Sequence, residues 1–226
     1  MTSATKSAKD LVLGRVFFSK GRRLLNYGPG REDRKAGVKL LRQAAIRGHI
    51  GAEVWLGAAY DYGLGTRKNY GIALKHYKAA AVAGDPNAQY HLGVFYHDGT
   101  GVRRNYGTAV SWLRKSVKQG DAEAMHLLGL CYRYGRGVQR RPKQGFRLHL
   151  AAARRGVLEA QFSLGVCFSR GEGVPRDPTR AFRWYLRAAR RGHKDAAHNV
   201  ARAFEVGRGV SRDRNSARLW YRRSGG

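Results

Sequence analysis

The chain has 226 residues and a hydrophobic content of 42%, which is enough to bury a continuous core. Its 44 Lys and Arg residues against 15 Asp and Glu residues give a formal net charge of +29. A magnitude of about 2–8 is usual for a small soluble domain, so this excess favours polyanionic or acidic partners. No run of about 18 apolar residues occurs, and we therefore expect no membrane-spanning helix.

The first residues of the chain are polar and lack the apolar core of a signal peptide. We predict that residues 1–10 form a disordered N-terminal arm. Residues 11–50 follow as a degenerate copy of a repeat, in which Gly21 and Gly48 keep the register. Degenerate terminal copies act as caps in stacked repeats, so this segment is interpreted as an N-terminal capping repeat.

Glycine recurs through the chain with a fixed period and no insertion. One column of glycines consists of Gly48, Gly84, Gly120, Gly156 and Gly192, which are spaced 36 residues apart. A self-similar period of this size is typical of a stacked array of small helical units. It divides the chain after the capping segment into repeats at 51–86, 87–122, 123–158 and 159–194, followed by a truncated C-terminal repeat at 195–226.

Each period contains two helical patterns, called helix A and helix B here. Helix A buries one face, shown by Ala88, Leu92 and Tyr96 in one copy, and it carries Gly93 in its middle. A mid-helix glycine costs about 1 kcal/mol of helix propensity, so its recurrence suggests that another helix backbone packs closely there.

A Gly-x-Gly turn separates the two helices, and its glycines permit a positive φ. Helix B then begins behind a side chain that can accept hydrogen bonds from free backbone N–H groups. Arg141 interrupts this column, and we expect the helix that follows it to begin less firmly. The predicted capping column consists of Asp33, Asn69, Asn105, Asp177 and Asp213.

The combined motif is Ala-x-x-x-Leu-Gly-x-x-Tyr-x-x-Gly-x-Gly-Val, then Asp or Asn, Ala, Trp-Tyr, Ala-Ala and Gly. It resembles the Sel-one-like repeat (SLR) family, a relative of the tetratricopeptide repeats. The resemblance implies an all-α fold, a right-handed α-solenoid of antiparallel helix pairs with a 36-residue repeat. It also implies an adaptor that scaffolds complexes, and no reaction. We predict about twelve helices in one elongated solenoid, with two halves joined by a hinge as the alternative.

The chemistry-bearing residues form no recognisable catalytic or metal pattern. The sequence lacks His-Glu-x-x-His, paired Cys/His spacing and a Gly-x-Ser-x-Gly elbow. We predict a non-enzymatic protein with no catalytic residue, metal, cofactor or small-molecule substrate. Cys131 and Cys167 lie one period apart, which is too far for a disulfide between equivalent positions of packed helices. Two reduced thiols indicate a reducing compartment, and we predict a cytoplasmic protein.

Helix A residues that lie outside its buried face should line a concave groove, by analogy with tetratricopeptide stacks. The mixed apolar, aromatic and polar character of these positions suits an unidentified protein or peptide, and an acidic partner is one option. The candidate partner-binding residues are Tyr62, Tyr90, His97, His126, Leu130, Tyr134, Phe162 and Arg170.

Helix B offers a second candidate surface, which is strongly basic and lies opposite its apolar face. Aligned arginines favour an electrostatic contact with nucleic acid or another polyanion, with weak sequence preference. A solvated basic face with no partner is the alternative. The candidate polyanion-binding residues are Arg147, Arg154, Arg155, Arg183, Arg187, Arg190 and Arg191.

Overall fold

A computed structural model of the chain describes residues 7–225. Within these residues the secondary structure consists of twelve α-helices and contains no strand. Contacts between Cα atoms divide the chain into two compact units, which separate after Gln119. The N-terminal unit holds the first six helices and the C-terminal unit holds the other six.

The N-terminal unit stacks three helix pairs, in which each helix contacts the next along the chain. Its first pair is longer than the others, with 20 and 16 residues against 13 in each later helix of the unit. Its helices are α1 (Ala8–Tyr27), α2 (Arg31–Ile46), α3 (Ile50–Tyr62), α4 (Tyr70–Val82), α5 (Pro86–Asp98) and α6 (Tyr106–Lys118).

The C-terminal unit repeats the same arrangement of three pairs, again with each helix against the next. The last helix of this unit has 11 residues, two fewer than the others. Its helices are α7 (Ala122–Tyr134), α8 (Pro142–Arg154), α9 (Leu158–Arg170), α10 (Pro178–Arg190), α11 (Lys194–Val206) and α12 (Arg214–Ser224).

The start of α1 corrects one sequence-based boundary. Residues 1–10 were expected to form a disordered arm, but Ala8, Lys9 and Asp10 already belong to α1. Ser7 provides the reason, because its hydroxyl oxygen accepts a hydrogen bond from the Asp10 backbone N–H and caps the helix. Residues 1–6 lie outside the described part of the chain.

Side chains cap most of the B helices as the sequence predicts. The carboxamide of Asn69 accepts a hydrogen bond from Ile72 N at 3.0 Å, and Asp177 accepts one from Arg180 N at 2.8 Å. Arg141 makes no side-chain cap bond to α8, as expected. Asp33 is a correction, since α2 begins at Arg31 and Asp33 lies in its first turn, accepting from the Gly30 backbone N–H. The glycines of the preceding turn, Gly28 and Gly30, stand one residue later in the repeat than Gly63 and Gly65, and α2 begins earlier than the repeat register predicts.

The glycines of the repeat serve two different purposes. Gly63 and Gly65 have φ values of 73° and 68°, the left-handed region that a side chain rarely adopts. Gly57, in the middle of α3, is needed for space: a Cβ atom there would lie 2.6 Å from Cδ1 of the Tyr77 ring. The expected close neighbour of the mid-helix glycine is therefore a helix B side chain in this repeat, and not a helix backbone.

Candidate functional site

The C-terminal unit contains a cavity of about 340 Å³. It lies among α9, α10 and α11 and reaches the turn that follows α11; we call it the C-terminal cleft. This volume is at the lower end of the range for ligand pockets, about 300–1,000 Å³. Its lining residues are Phe162, Val166, Ser169, Arg170, Pro178, Ala181, Phe182, Tyr185, Asn199, Arg202, Ala203, Val206 and Arg208.

The lining combines an apolar floor with a basic rim. Phe162, Val166 and Phe182 are half-buried and form part of the floor, while Arg202 and Arg208 are exposed at the rim. No Asp or Glu belongs to the lining, and neither rim arginine has a carboxylate within 4.0 Å among residues 7–225. The C-terminal cleft therefore offers apolar contact area together with arginine side chains that are not held in ion pairs.

One floor residue is held in place by a chain of contacts. The Phe162 ring stacks on the imidazole of His193, with the ring centroids 4.4 Å apart. The Nδ1 atom of His193 accepts from the Ala196 backbone N–H at 3.3 Å and so caps α11. Its Nε2 atom lies 3.1 Å from the Glu159 carboxylate and donates to it. Phe162 is thus oriented by the helix that forms the opposite side of the cleft.

A buried ion pair occupies the equivalent space one repeat earlier. The Arg133 side chain is only 5% exposed and donates from Nε to the carboxylate of Glu172. Glu172 also lies 3.7 Å from Nη1 of Arg170. Burial is the largest single influence and opposes both charges, but the hydrogen bond between them and the surrounding charges together exceed it, so the pKa of Arg133 is raised and that of Glu172 is lowered.

The predicted partner-binding residues of the N-terminal unit do not form a cleft of this kind. Tyr62 is 63% exposed at the end of α3. Tyr90 is half-buried and packs at an angle to His91, with the ring centroids 5.4 Å apart. His97 is engaged locally, since its Nδ1 atom lies 2.6 Å from the Asp98 carboxylate and its ring meets Tyr106 edge-on.

In the C-terminal unit, two of the predicted partner-binding residues line the C-terminal cleft, namely Phe162 and Arg170. His126 instead faces the core, with its Nδ1 atom 3.2 Å from Nδ1 of the fully buried His149. Leu130 is half-buried and Tyr134 is exposed, and neither lines the C-terminal cleft.

Among the cleft residues that sequence reasoning missed are Ser169, Phe182 and Arg208. Arg208 is the middle residue of a Gly-x-Gly turn, a position occupied by Glu172 one repeat earlier. The reversal of charge between these equivalent positions of two repeats is the sequence signal that could have identified Arg208.

All seven arginines of the candidate polyanion surface are exposed on α8, α10 or the residues that end these helices. Three of them have contacts within the protein. Arg191 donates from Nη1 to the Gly156 carbonyl oxygen at 2.7 Å, and Arg155 contacts the Met125 sulfur at 3.1 Å. Arg187 lies over the Trp184 ring, 5.6 Å from its centroid. The remaining four are Arg147, Arg154, Arg183 and Arg190.

Burial governs the chemistry of the two cysteines. Burial raises the pKa of the Cys131 and Cys167 thiols to about 11, so both are inert nucleophiles at neutral pH. Both cysteines are free and buried. Between residues 7 and 225 no three His, Cys, Asp or Glu side chains are placed to hold a metal ion. No helix in the same range has the length and apolar character needed to span a membrane.

Helix pairs of this length, linked by paired-glycine turns and stacked within each unit, define an all-α protein of the repeat-solenoid class. The Sel1 repeat family model matches six segments, at residues 13–49, 50–85, 86–121, 122–157, 158–193 and 194–225. The chain therefore belongs to the Sel1 repeat family, and the predicted family and fold class are confirmed. From the second segment on, each match begins one residue before the boundary predicted from the sequence.

Solved structures carry the same fold. A protective antigen present in uropathogenic Escherichia coli strains, which displays an SLR fold, is 31% identical over 94% of this chain, with a TM-score of 0.84. The alignment spans only 45% of that protein's length. A Sel1 repeat protein from Oxalobacter formigenes is 30% identical over 95% of this chain and 84% of its own, with a TM-score of 0.75.

An immunity protein from Pseudomonas aeruginosa is 22% identical, with a TM-score of 0.63, and covers 94% of this chain and 80% of its own. At this identity the likeness shows the fold alone. No curated protein matches the chain. Sel1 repeat proteins are generally non-enzymatic scaffolds for protein interactions.

Proposed function

We propose that this chain is a non-enzymatic adaptor that holds a peptide or partner helix in the C-terminal cleft. The observation that carries the proposal is the concave apolar floor of Phe162, Val166 and Phe182, bordered by polar groups that can orient a ligand. Repeat families of this kind act by binding, and function resides in such sites on the fold. The cytoplasmic location is part of this proposal, and the buried free thiols of Cys131 and Cys167 fit a reducing compartment.

The cleft can be tested with two valines that occupy the same column of helix A. Val166 lines the cleft, whereas Val94 is half-buried at the equivalent position of α5 in the N-terminal unit. Val166→Gln should abolish recovery of the main partner from a source lysate, because it places a polar group on the apolar floor. Val94→Gln should retain it. Equal recovery by the two variants, measured by quantitative mass spectrometry, would place the contact outside the cleft.

A second candidate function is polyanion binding through the arginines of α8 and α10. The observation that favours it is that Arg147, Arg154, Arg183 and Arg190 are exposed and have no ion-pair partner among residues 7–225. Arginine side chains in this state can neutralise phosphates and release counterions.

Salt dependence tests the second candidate. For duplex DNA the slope of log K against log salt changes by about 0.9 for each phosphate contact. The triple variant Arg183→Gln, Arg187→Gln, Arg190→Gln should therefore flatten the slope by about 2.7. Arg191 is left intact because it contacts Gly156. The exposed lysines Lys75, Lys78 and Lys118 of the N-terminal unit, changed to Gln together, serve as the matched control. An unchanged slope in the arginine variant would contradict this function.

A further inference from the structure

Because the repeats are equivalent, the residues of the C-terminal cleft have counterparts at the same positions one repeat earlier. In the earlier repeat, Arg133 at the end of α7 meets Glu172 in the Gly-x-Gly turn after α9. The Glu172 carboxylate lies close to two guanidinium groups, those of Arg133 and Arg170. At this point of the stack, the protein supplies its own carboxylate.

One repeat later the chemistry is reversed. Adding 36 residues converts Arg133 into Ser169 and Glu172 into Arg208. Both Ser169 and Arg208 line the C-terminal cleft. The internal carboxylate is therefore replaced by a cation, and the long arginine that it neutralised is replaced by a short serine. The result is an open space with positive charge where the previous repeat has a closed ion pair.

A second column adds to the positive charge of the cleft. Arg202 of α11 stands where the preceding A helices carry apolar residues. Arg202 and Arg208 are both exposed, and the residues that line the C-terminal cleft include no acid to compensate them. The third rim arginine, Arg170, is already near Glu172 at 3.7 Å. The apolar members of the Arg202 column are Ala58, Val94, Leu130 and Val166.

We infer that the occupant of the C-terminal cleft is an acidic peptide segment, which places an apolar side chain on the floor and a carboxylate between Arg202 and Arg208. This inference rests on the function proposed above and names its ligand. Guanidinium groups recognise carboxylates through charge-assisted hydrogen bonds, and the bond from Arg133 Nε to the Glu172 carboxylate is such a contact within the same fold.

The floor of the cleft argues for a peptide over a nucleic acid. Single-strand binders need open aromatic faces on which bases stack. Here the Phe162 ring stacks on His193 at 4.4 Å, and the Phe182 ring meets Phe204 edge-on at 5.2 Å. These rings are already engaged by protein, so the floor offers a shallow apolar surface for an aliphatic or aromatic side chain of a peptide.

The test uses a library of random dodecapeptides displayed on phage and selected on the full chain at physiological salt. Counter-selection on the Val166→Gln variant removes phage that bind the basic surface elsewhere. Enriched sequences are then synthesised with a fluorescein label, and their Kd values are measured by fluorescence anisotropy.

Arg208→Glu is the informative variant, because it restores the acid found one repeat earlier. It should weaken the acidic peptides by at least about tenfold, since a charged hydrogen bond is lost and a repulsion is added. Arg103→Glu carries the same charge change at an exposed position of the N-terminal unit, and Kd should stay within about twofold of wild type. Circular dichroism verifies that both variants fold.

The results separate the inference from the function on which it rests. Enrichment of Asp or Glu beside an apolar residue, with loss of binding in Arg208→Glu alone, supports the inference. Apolar peptides that need Val166 but bind Arg208→Glu equally well would overturn it and leave the proposed cleft standing. The inference would also be overturned by a fluorescein-labelled oligothymidine that binds more tightly than any selected peptide and depends on Val166 and Arg208. The occupant of the cleft would then be a nucleic acid. Absence of any peptide that depends on Val166 would overturn both.

Discussion

Replacing Gly57 by Ala tests how tightly the two helices of a repeat are packed. The added Cβ would lie 2.6 Å from both Cδ1 and Cε1 of the Tyr77 ring, whereas ordinary contacts begin at 3.4 Å. The ring would have to move by roughly 0.8 Å, but it is fully buried, stacks on His91 at 4.5 Å and meets Phe95 at 5.5 Å. Overpacking of this kind costs about 1–3 kcal/mol, and alanine recovers about 1 kcal/mol of helix propensity. Because the ring is confined, we expect Gly57→Ala to lower the free energy of unfolding by about 1–2 kcal/mol.

Gly71 provides the control for this experiment. It is an exposed helical glycine in α4, and a Cβ there would meet only the Asn69 side chain, at 3.5 Å. Gly71→Ala should therefore stabilise the protein by about 0.4–1 kcal/mol. Urea unfolding followed by circular dichroism measures both variants. The packing argument is refuted if Gly57→Ala is as stable as Gly71→Ala.

Two further predictions concern stability. Burial lowers the pKa of His149 to about 3, below the value of about 6.5 expected when the chain is unfolded. The unfolded state therefore takes up a proton below pH 6.5 that the folded state refuses, so stability is retained above this pH and falls as the pH is lowered. Between pH 7.5 and pH 5 the free energy of unfolding of the wild type should fall by about 2 kcal/mol more than that of His149→Leu. Leucine is the residue at the equivalent position of the preceding repeat, Leu113. Parallel pH profiles of the two proteins in urea titrations would contradict this. Separately, Arg141→Asp should supply the missing cap of α8 and raise stability by about 1 kcal/mol, detected as a higher midpoint of thermal unfolding, whereas no gain would mean that Pro142 already fixes the helix start.

Local chemistry explains why most of the fold could be predicted from the sequence. The cap of Asn69 and the positive φ of Gly63 depend on a few neighbouring residues, and the 36-residue period repeats the same signal. The prediction failed in the first helix pair, where the repeat register is not kept. Asp33 follows a turn whose glycines are displaced by one residue from the repeat register, and its helix begins earlier than that register implies.

The cleft could be predicted only in part, because it depends on pairs of residues that lie 39 positions apart. Phe162 and Arg170 were recognised as helix A residues outside the core. Ser169 and Arg208 become neighbours of one cavity only after two repeats have stacked, as Arg133 and Glu172 do in the preceding repeat. His126 was also expected in the groove as a helix A residue outside the core. It contacts His149 instead, which offers a polar partner where other repeats carry Tyr or Leu.

The claim that the C-terminal cleft binds an acidic peptide is tested most directly by nuclear magnetic resonance. A selected acidic peptide would be titrated into the isotopically labelled chain, and the shifts of the backbone amide signals followed. Signals of Val166, Ser169 and Arg208 should shift in a saturable manner, while those of Arg147 on α8 and of Val94 in the N-terminal unit stay in place. Saturable shifts at Arg147 with none at Val166 or Arg208 would contradict the account.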